Sequence, residues 1–590
     1  MDNSAKNEIK CFFVPPTVSA DGTRLVLPQS DRVGYDLQLH GSSNKSVIAL
    51  DGRVYAPLED MTVKVMYKLV NQNDPLDVIV AKDEVAIAIP GLYKQEEGDN
   101  PRPQVLPAIR EWKGHHGAFT LTESSRIVIA DEALRETADM IAYYFDKMLG
   151  KTIAVETGAP ADGDLHLALT DKVELGDEGY TIEIGDVVKA TALTTKGILY
   201  AGTSIVQILS ADEAKASLPR GLVRDYPAYA VRSCMYDVAR YYMNLSYLDE
   251  IARYMAYYKC NEIHVHINDD GGQQKSCFRL QSLRYPEINC GNRGGKVYTQ
   301  EDYRAFQKHV AKYGIKVITE IDTPSHAGFV RFHEPFANKA LMFKGNETDI
   351  FDDKIDIYDI DVINFIKSVW DELTDGDDPV IQSDTVHIGG DEYFLFKPEL
   401  FAKHRHHVAK YLNIIAQHLM KKGYKVNVWS EFGRDFYTGF EILDPSIRMY
   451  GCGEGHNNYD DIFEAGYRFI NMVCEYLYIV PGVQPGVYAN DISLGELYDL
   501  VEVNRVLPNR YEPESAPYID GAQACVWNDY DVDWPEKKLF KVFQKEVVLI
   551  SEKAWRGVYK AEGARDEFLD RVEKLGQYAP DADPLCCRRA

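Results

Sequence analysis

TVHIGGDE (385–392), PELFAKHRHHVAKYLNIIAQHLMKK (398–422) and VNVWSE (426–431) follow one another along the chain. The first is a short apolar run ending in Gly-Gly and two acids. The second carries apolar residues at helical spacing. The third is again a short apolar run. A strand, a helix and a strand in that order make a parallel βαβ unit. From about Tyr226 the same alternation recurs. Strand-like runs end near Ala239, Asn268, Asp322, Glu392, Glu431, Gly453, Tyr478 and Asp529. Eight strand-then-helix units predict a (β/α)8 barrel, a TIM barrel, over residues 225–560.

Outward from the barrel the pattern changes. TVKVMYKLVN (62–71) alternates apolar and polar residues, and DVIVAKDEVAIAIPG (77–91) continues as strand after a break at Asn73-Asp74-Pro75. Residues 1–105 therefore read as an N-terminal β-sandwich. Residues 106–224 mix short strands with helices over Asp131–Leu149 and Gly197–Leu209, which predicts a small α+β domain. Residues 561–590 read as a C-terminal helix and tail.

The chain has 65 Lys+Arg against 91 Asp+Glu, a formal charge of −26. That sign repels phosphate backbones and anionic lipid, so neither nucleic acid nor a membrane surface is an expected partner. No run has the roughly 18–20 apolar residues of a spanning helix. The N-terminal segment carries no basic stretch followed by an apolar one. The ten cysteines show no C-x-x-C pair. A reducing, cytoplasmic setting is the expectation. Assembly into a homo-oligomer is left open.

In a parallel barrel the functional side chains lie where strands end. Here those ends carry His264, His266, Asn268, Asp269 and Asp270; Glu320, Asp322 and His326; His387, Asp391 and Glu392; Trp429 and Glu431; Tyr476 and Tyr478; Trp527 and Asp529. Two chemistries fit. Four histidines and an aspartate resemble a divalent metal site. The adjacent carboxylates Asp391 and Glu392, placed after Gly-Gly, fit a glycosidase with Glu392 as acid.

The run HIGGDEYF (387–394) resembles the H-x-G-G-D-E signature of glycoside hydrolase family 20, the β-N-acetylhexosaminidases and lacto-N-biosidases. VRSCMYDVARYYM (231–243), MAYYKCNEIHVHINDD (255–270) and EIDTPSHA (320–327) resemble its first three barrel strands. GDEGYTIEI (176–184) resembles the small domain that precedes its barrel. The resemblance implies retaining, substrate-assisted hydrolysis of terminal β-linked GlcNAc or GalNAc, with no cofactor and no metal. The substrate's 2-acetamido oxygen attacks C1 and forms an oxazolinium. Glu392 then protonates the leaving oxygen, Asp391 holds the acetamido N–H, and Tyr476 holds its oxygen. Arg232 is expected to fork onto sugar hydroxyls, with Trp429 and Trp527 as pocket walls. Asp269 and His326 would orient Glu392 and keep its pKa high enough to act as an acid. Asp322 and His387 would support the scaffold, and His264 and His266 would pack behind it.

The chain departs from the family at two strand ends. Tyr478 stands where a Tyr-x-Asp is usual, and Asp529 where a Trp-x-Glu is usual. The half of the pocket that reads the sugar's non-reducing edge is altered. A lacto-N-biosidase releasing Gal-GlcNAc is the alternative; small oligosaccharides clipped one sugar at a time are the first expectation.

Overall fold

The computed structural model describes residues 9–271, 274–292, 295–336, 354–393, 398–430, 443–453, 459–530 and 536–576. The alternation in TVKVMYKLVN has the consequence expected of it. Val63, Val65, Tyr67 and Leu69 are buried on one face of the strand Met61–Asn71. That strand is the centre of a three-stranded antiparallel sheet with Tyr35–Ser42 and Val78–Ile89. The inner face packs against Ile9, Cys11, Phe12, Val47, Ile48 and Val54. The second layer of the expected sandwich is thin: a two-stranded ribbon, Thr17–Val18 with Leu25–Val26, and the loops around it.

The α+β segment folds as a seven-stranded mixed sheet. Its parallel members are Leu165–Leu169, which pairs with both Val188–Ala192 and Arg126–Ile129, and Ala154–Thr157 beyond them. The helix Thr195–Ala211 starts where the Thr194 side chain accepts the Gly197 N–H at 3.2 Å, a standard N-cap. It is buried on nearly every side, as its mostly apolar sequence requires. Trp555 packs against Tyr180 and edge-on to Tyr200. Among the described residues, 9–230 with 511–517 and 552–576 form one compact unit, and most of 231–551 forms the other.

That second unit is a closed barrel of parallel strands. In order they are Val231–Asp237, Glu262–His266, Lys316–Glu320, Thr385–His387, Lys425–Trp429, Arg448–Gly451, Arg468–Asn471 and Ile519–Val526. The first pairs with the last, Val231 opposite Gly521 through Tyr236 opposite Val526, so the ring has no free edge. Gly521 sits where a Cβ would lie 1.9 Å from the Val231 carbonyl oxygen, so only glycine permits this closure.

One strand ends earlier than its sequence suggests. CEYLY was expected to finish strand seven, but that strand stops at Asn471. The Asn471 amide donates to the carbonyls of Val503 and Arg505, and its oxygen accepts the Val473 N–H. The chain turns there into a single helical turn, Cys474–Leu477. Tyr478–Ile479 then runs alongside strand eight, Tyr478 opposite Cys525.

Glu546 lies fully buried on the helix Glu536–Arg556, with neither carboxyl oxygen hydrogen-bonded among the described residues. Burial pushes its pKa up to about 8, against the pull of Lys545. A raised folded-state pKa makes stability full at acid pH and erodes it as pH climbs towards about 8. Glu546→Gln keeps the shape and removes the titration. In urea unfolding at about pH 8 the variant is expected to be more stable, by on the order of a few kcal/mol. Its stability should also vary less between about pH 5 and pH 8 than that of the parent.

Candidate active site

Strand four is only three residues long, and its end is shaped by glycine. Gly389 adopts a left-handed φ of 75°, and a Cβ there would fall 1.7 Å from Asp322 Oδ1. With no side chain in the way, the Asp322 carboxyl lies against the turn and accepts the Gly390 N–H at 3.2 Å. The turn delivers Asp391 and Glu392 into one mouth in different settings. The Asp391 side chain is 13% exposed and that of Glu392 38%. Glu392 and His326 both have φ of 52°, left-handed backbone on non-glycine residues. Each such residue costs about 1–3 kcal/mol and persists only where the surroundings fix it.

Strand ends two and three supply what fixes it. His326 Nδ1 lies 2.7 Å from Asp269 Oδ1, and its Nε2 lies 3.5 Å from Glu392 Oε2 and 3.8 Å from Asp391 Oδ2. Asp269 also accepts from His266 Nε2 at 2.8 Å, from Arg240 Nη2 at 2.8 Å and from the Asp270 N–H at 2.6 Å. Burial alone would raise the Asp269 carboxyl; Arg240 and His326 override it and hold it well below the usual range. Burial would lower His326, but Asp269 and Asp391 raise it well above an ordinary imidazole. Its bond to Glu392 then lowers that carboxyl. The sequence expectation that His326 keeps the Glu392 pKa high is corrected here. At rest the shared proton sits on the imidazole, because Asp269 stabilises the imidazolium from behind.

Asp391 and Asp322 divide a second proton. Burial raises Asp391 to about 6, opposed by His326 and by a hydrogen bond from Asp322. Asp322, raised well above the usual range by burial and by Asp391, keeps its proton. Asp391 is thus the charged member above about pH 6. Its Oδ1 is buried and accepts from no N–H or hydroxyl among the described residues, and the hydrogen bond that Asp391 does take is from the Asp322 carboxyl. A buried carboxylate with so few donors leaves room for an N–H from a ligand.

Beneath the mouth lies Glu320. Its oxygens meet His266 Nδ1 at 2.6 Å, Trp429 Nε1 at 2.6 Å, His264 Nε2 at 3.0 Å and His387 Nδ1 at 3.2 Å. Three acid-and-histidine groupings could gather around an ion: His264, Glu320 and His387; His266, Glu320 and Asp322; and Asp322, His326 and Asp391. The nitrogen–oxygen separations around Glu320 are hydrogen-bond lengths.

Other expected residues move. Arg232 is fully buried near the start of strand one, its Nε donating to the Lys259 carbonyl before strand two begins. It lies at the opposite end of the barrel from the mouth. The arginine of the mouth is Arg240, just after strand one ends. It bonds Asp237 and Asp529, each at 3.1 Å, as well as Asp269, and lies over the Trp527 ring at 5.7 Å. The strand's direction was the missed signal: Arg232 opens the strand and Arg240 follows its end. Trp429, expected as a pocket wall, is buried in the floor and stacks on His264 at 5.3 Å. Trp527 sits higher, 6.0 Å from Tyr478, which in turn lies 5.9 Å from Tyr488. Tyr476 instead has its ring 5.0 Å from the Arg505 guanidinium. Glu431 falls outside the described residues.

A model of the glycosyl hydrolase family 20 catalytic domain matches residues 229–558, and one of that family's domain 2 matches 102–226. The chain belongs to glycosyl hydrolase family 20. Among its relatives in the family are a lacto-N-biosidase of Bifidobacterium bifidum, 24% identical over 77% of this chain and 40% of that one, and a beta-hexosaminidase of Porphyromonas gingivalis, 21% identical over 80% and 62%. The chain thus spans less than two thirds of either. A beta-N-acetylhexosaminidase of Cellulomonas fimi is 24% identical over 78% of this chain and 90% of that one. The family 20 fold is shared with solved structures. One is the beta-N-acetylhexosaminidase of Streptomyces coelicolor, at TM-score 0.64 and 20% identity over 81% of this chain and 97% of that one. Another is a Streptomyces plicatus beta-hexosaminidase in complex with GlcNAc, at 0.64 and 18% over 83% and 99%.

With Asp391 in the role the family resemblance implies for it, the charged group that holds the acetamido N–H, kcat/KM is expected to fall as pH drops below about 6. In Asp391→Asn that acid limb should vanish along with most of the activity. A pH–rate profile of both forms is the check. A parent limb that stayed flat down to about pH 4 would contradict the assignment.

Proposed function

We propose that this family 20 chain is an exo-acting β-N-acetylhexosaminidase that releases terminal β-linked N-acetylhexosamine from small oligosaccharides with retention. The observation that carries the reading is the buried Asp391 carboxylate, whose Oδ1 accepts from no N–H among the described residues, beside Glu392. An acetamido N–H is the kind of donor this carboxylate lacks. Once bound, the Asp391 charge favours polarisation of the amide, and the substrate's own carbonyl oxygen attacks C1. The C1–O bond to the leaving group breaks, and the leaving oxygen takes a proton from Glu392. That proton is drawn from the pair Glu392 shares with His326, and water later returns one by the reverse path. Arg240, whose nitrogens are taken up by Asp237, Asp269, Asp529 and the Asp270 carbonyl, steadies the Asp529 carboxylate near Trp527 as an acceptor for sugar hydroxyls. Tyr478, within the aromatic group of Trp527 and Tyr488, is better placed than Tyr476 to line the pocket.

A second reading rests on the same rim. Asp529 is held by Arg240, and an aromatic ring, Tyr478, stands 6.0 Å from Trp527. Rings stack on sugar faces. A pocket edged by rings accommodates a further hexose, as release of a Gal-GlcNAc disaccharide would require. The eight described cysteines are free thiols, which supports a reducing compartment.

Chromogenic β-glycosides separate these readings. Substrates with a 2-hydroxyl in place of the acetamido group lack the nucleophile and leave Asp391 unmatched. They should react at least about a thousandfold more slowly. Good turnover of plain β-glucosides would sink the substrate-assisted mechanism, and preference for the lacto-N-biose glycoside over that of GlcNAc would establish the second reading.

Glu392→Gln tests the acid. Its loss should be large, about 10²–10⁴-fold, on oligosaccharides whose leaving oxygen needs a proton. On aryl glycosides with good leaving groups the loss should be much smaller. Equal losses on both kinds of substrate would remove Glu392 from that role.

A further inference from the structure

Behind the acid and its histidine the charges continue into the barrel floor. His266 stands on strand two with both ring nitrogens against carboxylates, Nδ1 at 2.6 Å from Glu320 Oε2 and Nε2 at 2.8 Å from Asp269 Oδ2. A neutral imidazole carries one N–H, so in that form a nitrogen lone pair would face a carboxylate oxygen at contact distance. Only the doubly protonated ring satisfies both sides. Every member is buried: His266 is 1% exposed, Glu320 and Asp269 not at all. From floor to mouth the order is Glu320, His266, Asp269, His326 and Glu392, with the sign alternating at each step.

We propose that His266 and Glu320 are positioning residues for the acid step: the His266 imidazolium, clamped between Glu320 and Asp269, fixes the Asp269 carboxylate and sets the pH at which Glu392 yields its proton. The proposal rests on the reading of Glu392 as the acid. Asp269 divides its charge among Arg240, His326 and His266. With His266 charged, Asp269 holds the His326 proton less firmly than it would with Arg240 alone for company. The Glu320–His266 pair is neutral as a whole, but its positive end lies on the side of His326. Deleting the pair, or the cation alone, therefore removes positive potential from His326 and Glu392 and makes both easier to protonate.

The groups around the ring keep this sign. Strand three contributes Glu320 and Asp322, the latter protonated at rest. From the end of strand one come Asp237 and Arg240, bonded to each other. His264 and His387 lie beyond Glu320; His387, lowered by burial to about 4, is neutral at working pH. Trp527 covers the remaining edge of the ring at 5.1 Å. None of these substitutes for the lost imidazolium beside Asp269.

The test is the basic limb of kcat/KM against pH, on an oligosaccharide whose leaving oxygen needs a proton. In His266→Gln the limb should move to higher pH by about one unit, the size of one positive charge removed across a few residues, whereas in the isosteric Glu320→Gln, which takes away an anion and leaves His266 charged beside Asp269, it should move the other way. A purely structural role predicts lower kcat with the limb in place, and that result overturns the proposal. A second measurement needs neither variant nor activity. By NMR of isotope-labelled histidine in the unaltered protein, both His266 ring nitrogens should carry protons at about pH 7. A neutral tautomer there overturns the proposal even if the enzyme is active. An inactive parent enzyme with a doubly protonated His266 would instead fault the functional reading and leave the clamp standing.

Discussion

The Asp269 carboxylate accepts from a backbone N–H, two imidazoles and a guanidinium, and the architecture of the mouth follows from satisfying it. A fully buried carboxylate is costly unless it is paired and hydrogen-bonded on both oxygens. The donors come from different strand ends, so the barrel must hold those ends in fixed positions relative to one another. Arg240 ties strand one and strand eight to the site through Asp237 and Asp529. His326 ties strand three to strand four. What reads as a catalytic constellation is also the electrostatic fastening of the barrel's upper rim.

Close packing does the complementary work on the other side of the acid pair. Gly389 lets the Asp322 carboxyl approach the turn, and that approach is what makes one proton serve Asp322 and leaves Asp391 charged. Two neighbouring carboxyls in one dry mouth cannot both ionise freely. Here their inequality is set by burial and by whether an imidazolium stands within reach.

Much of this was legible along the chain. The strand-then-helix alternation, the Gly-Gly-Asp-Glu end of strand four and the acids and histidines of strands two and three are local patterns, and local patterns survive folding. What failed depended on distant partners. The expectation that Arg232 reaches the mouth ignored which way strand one runs. The placing of Tyr476 assumed that strand seven continues, whereas Asn471 ends it by capturing carbonyls more than thirty residues onward. The sign of the shift at Glu392 is a sum over charges from several strands, and no single stretch of sequence contains that sum. Glu320 stood at a strand end with the rest, yet its role as a hub depends on partners from three other strands.

The left-handed backbone at Glu392 and His326 bears on how such a site ages in evolution. Glycine or asparagine at either position would relax the chain and lose the chemistry in the same stroke. Selection for mere persistence of the fold therefore runs against these two residues. A descendant freed from its substrate could drift towards a sturdier, silent barrel with a relaxed residue at each of these two turns.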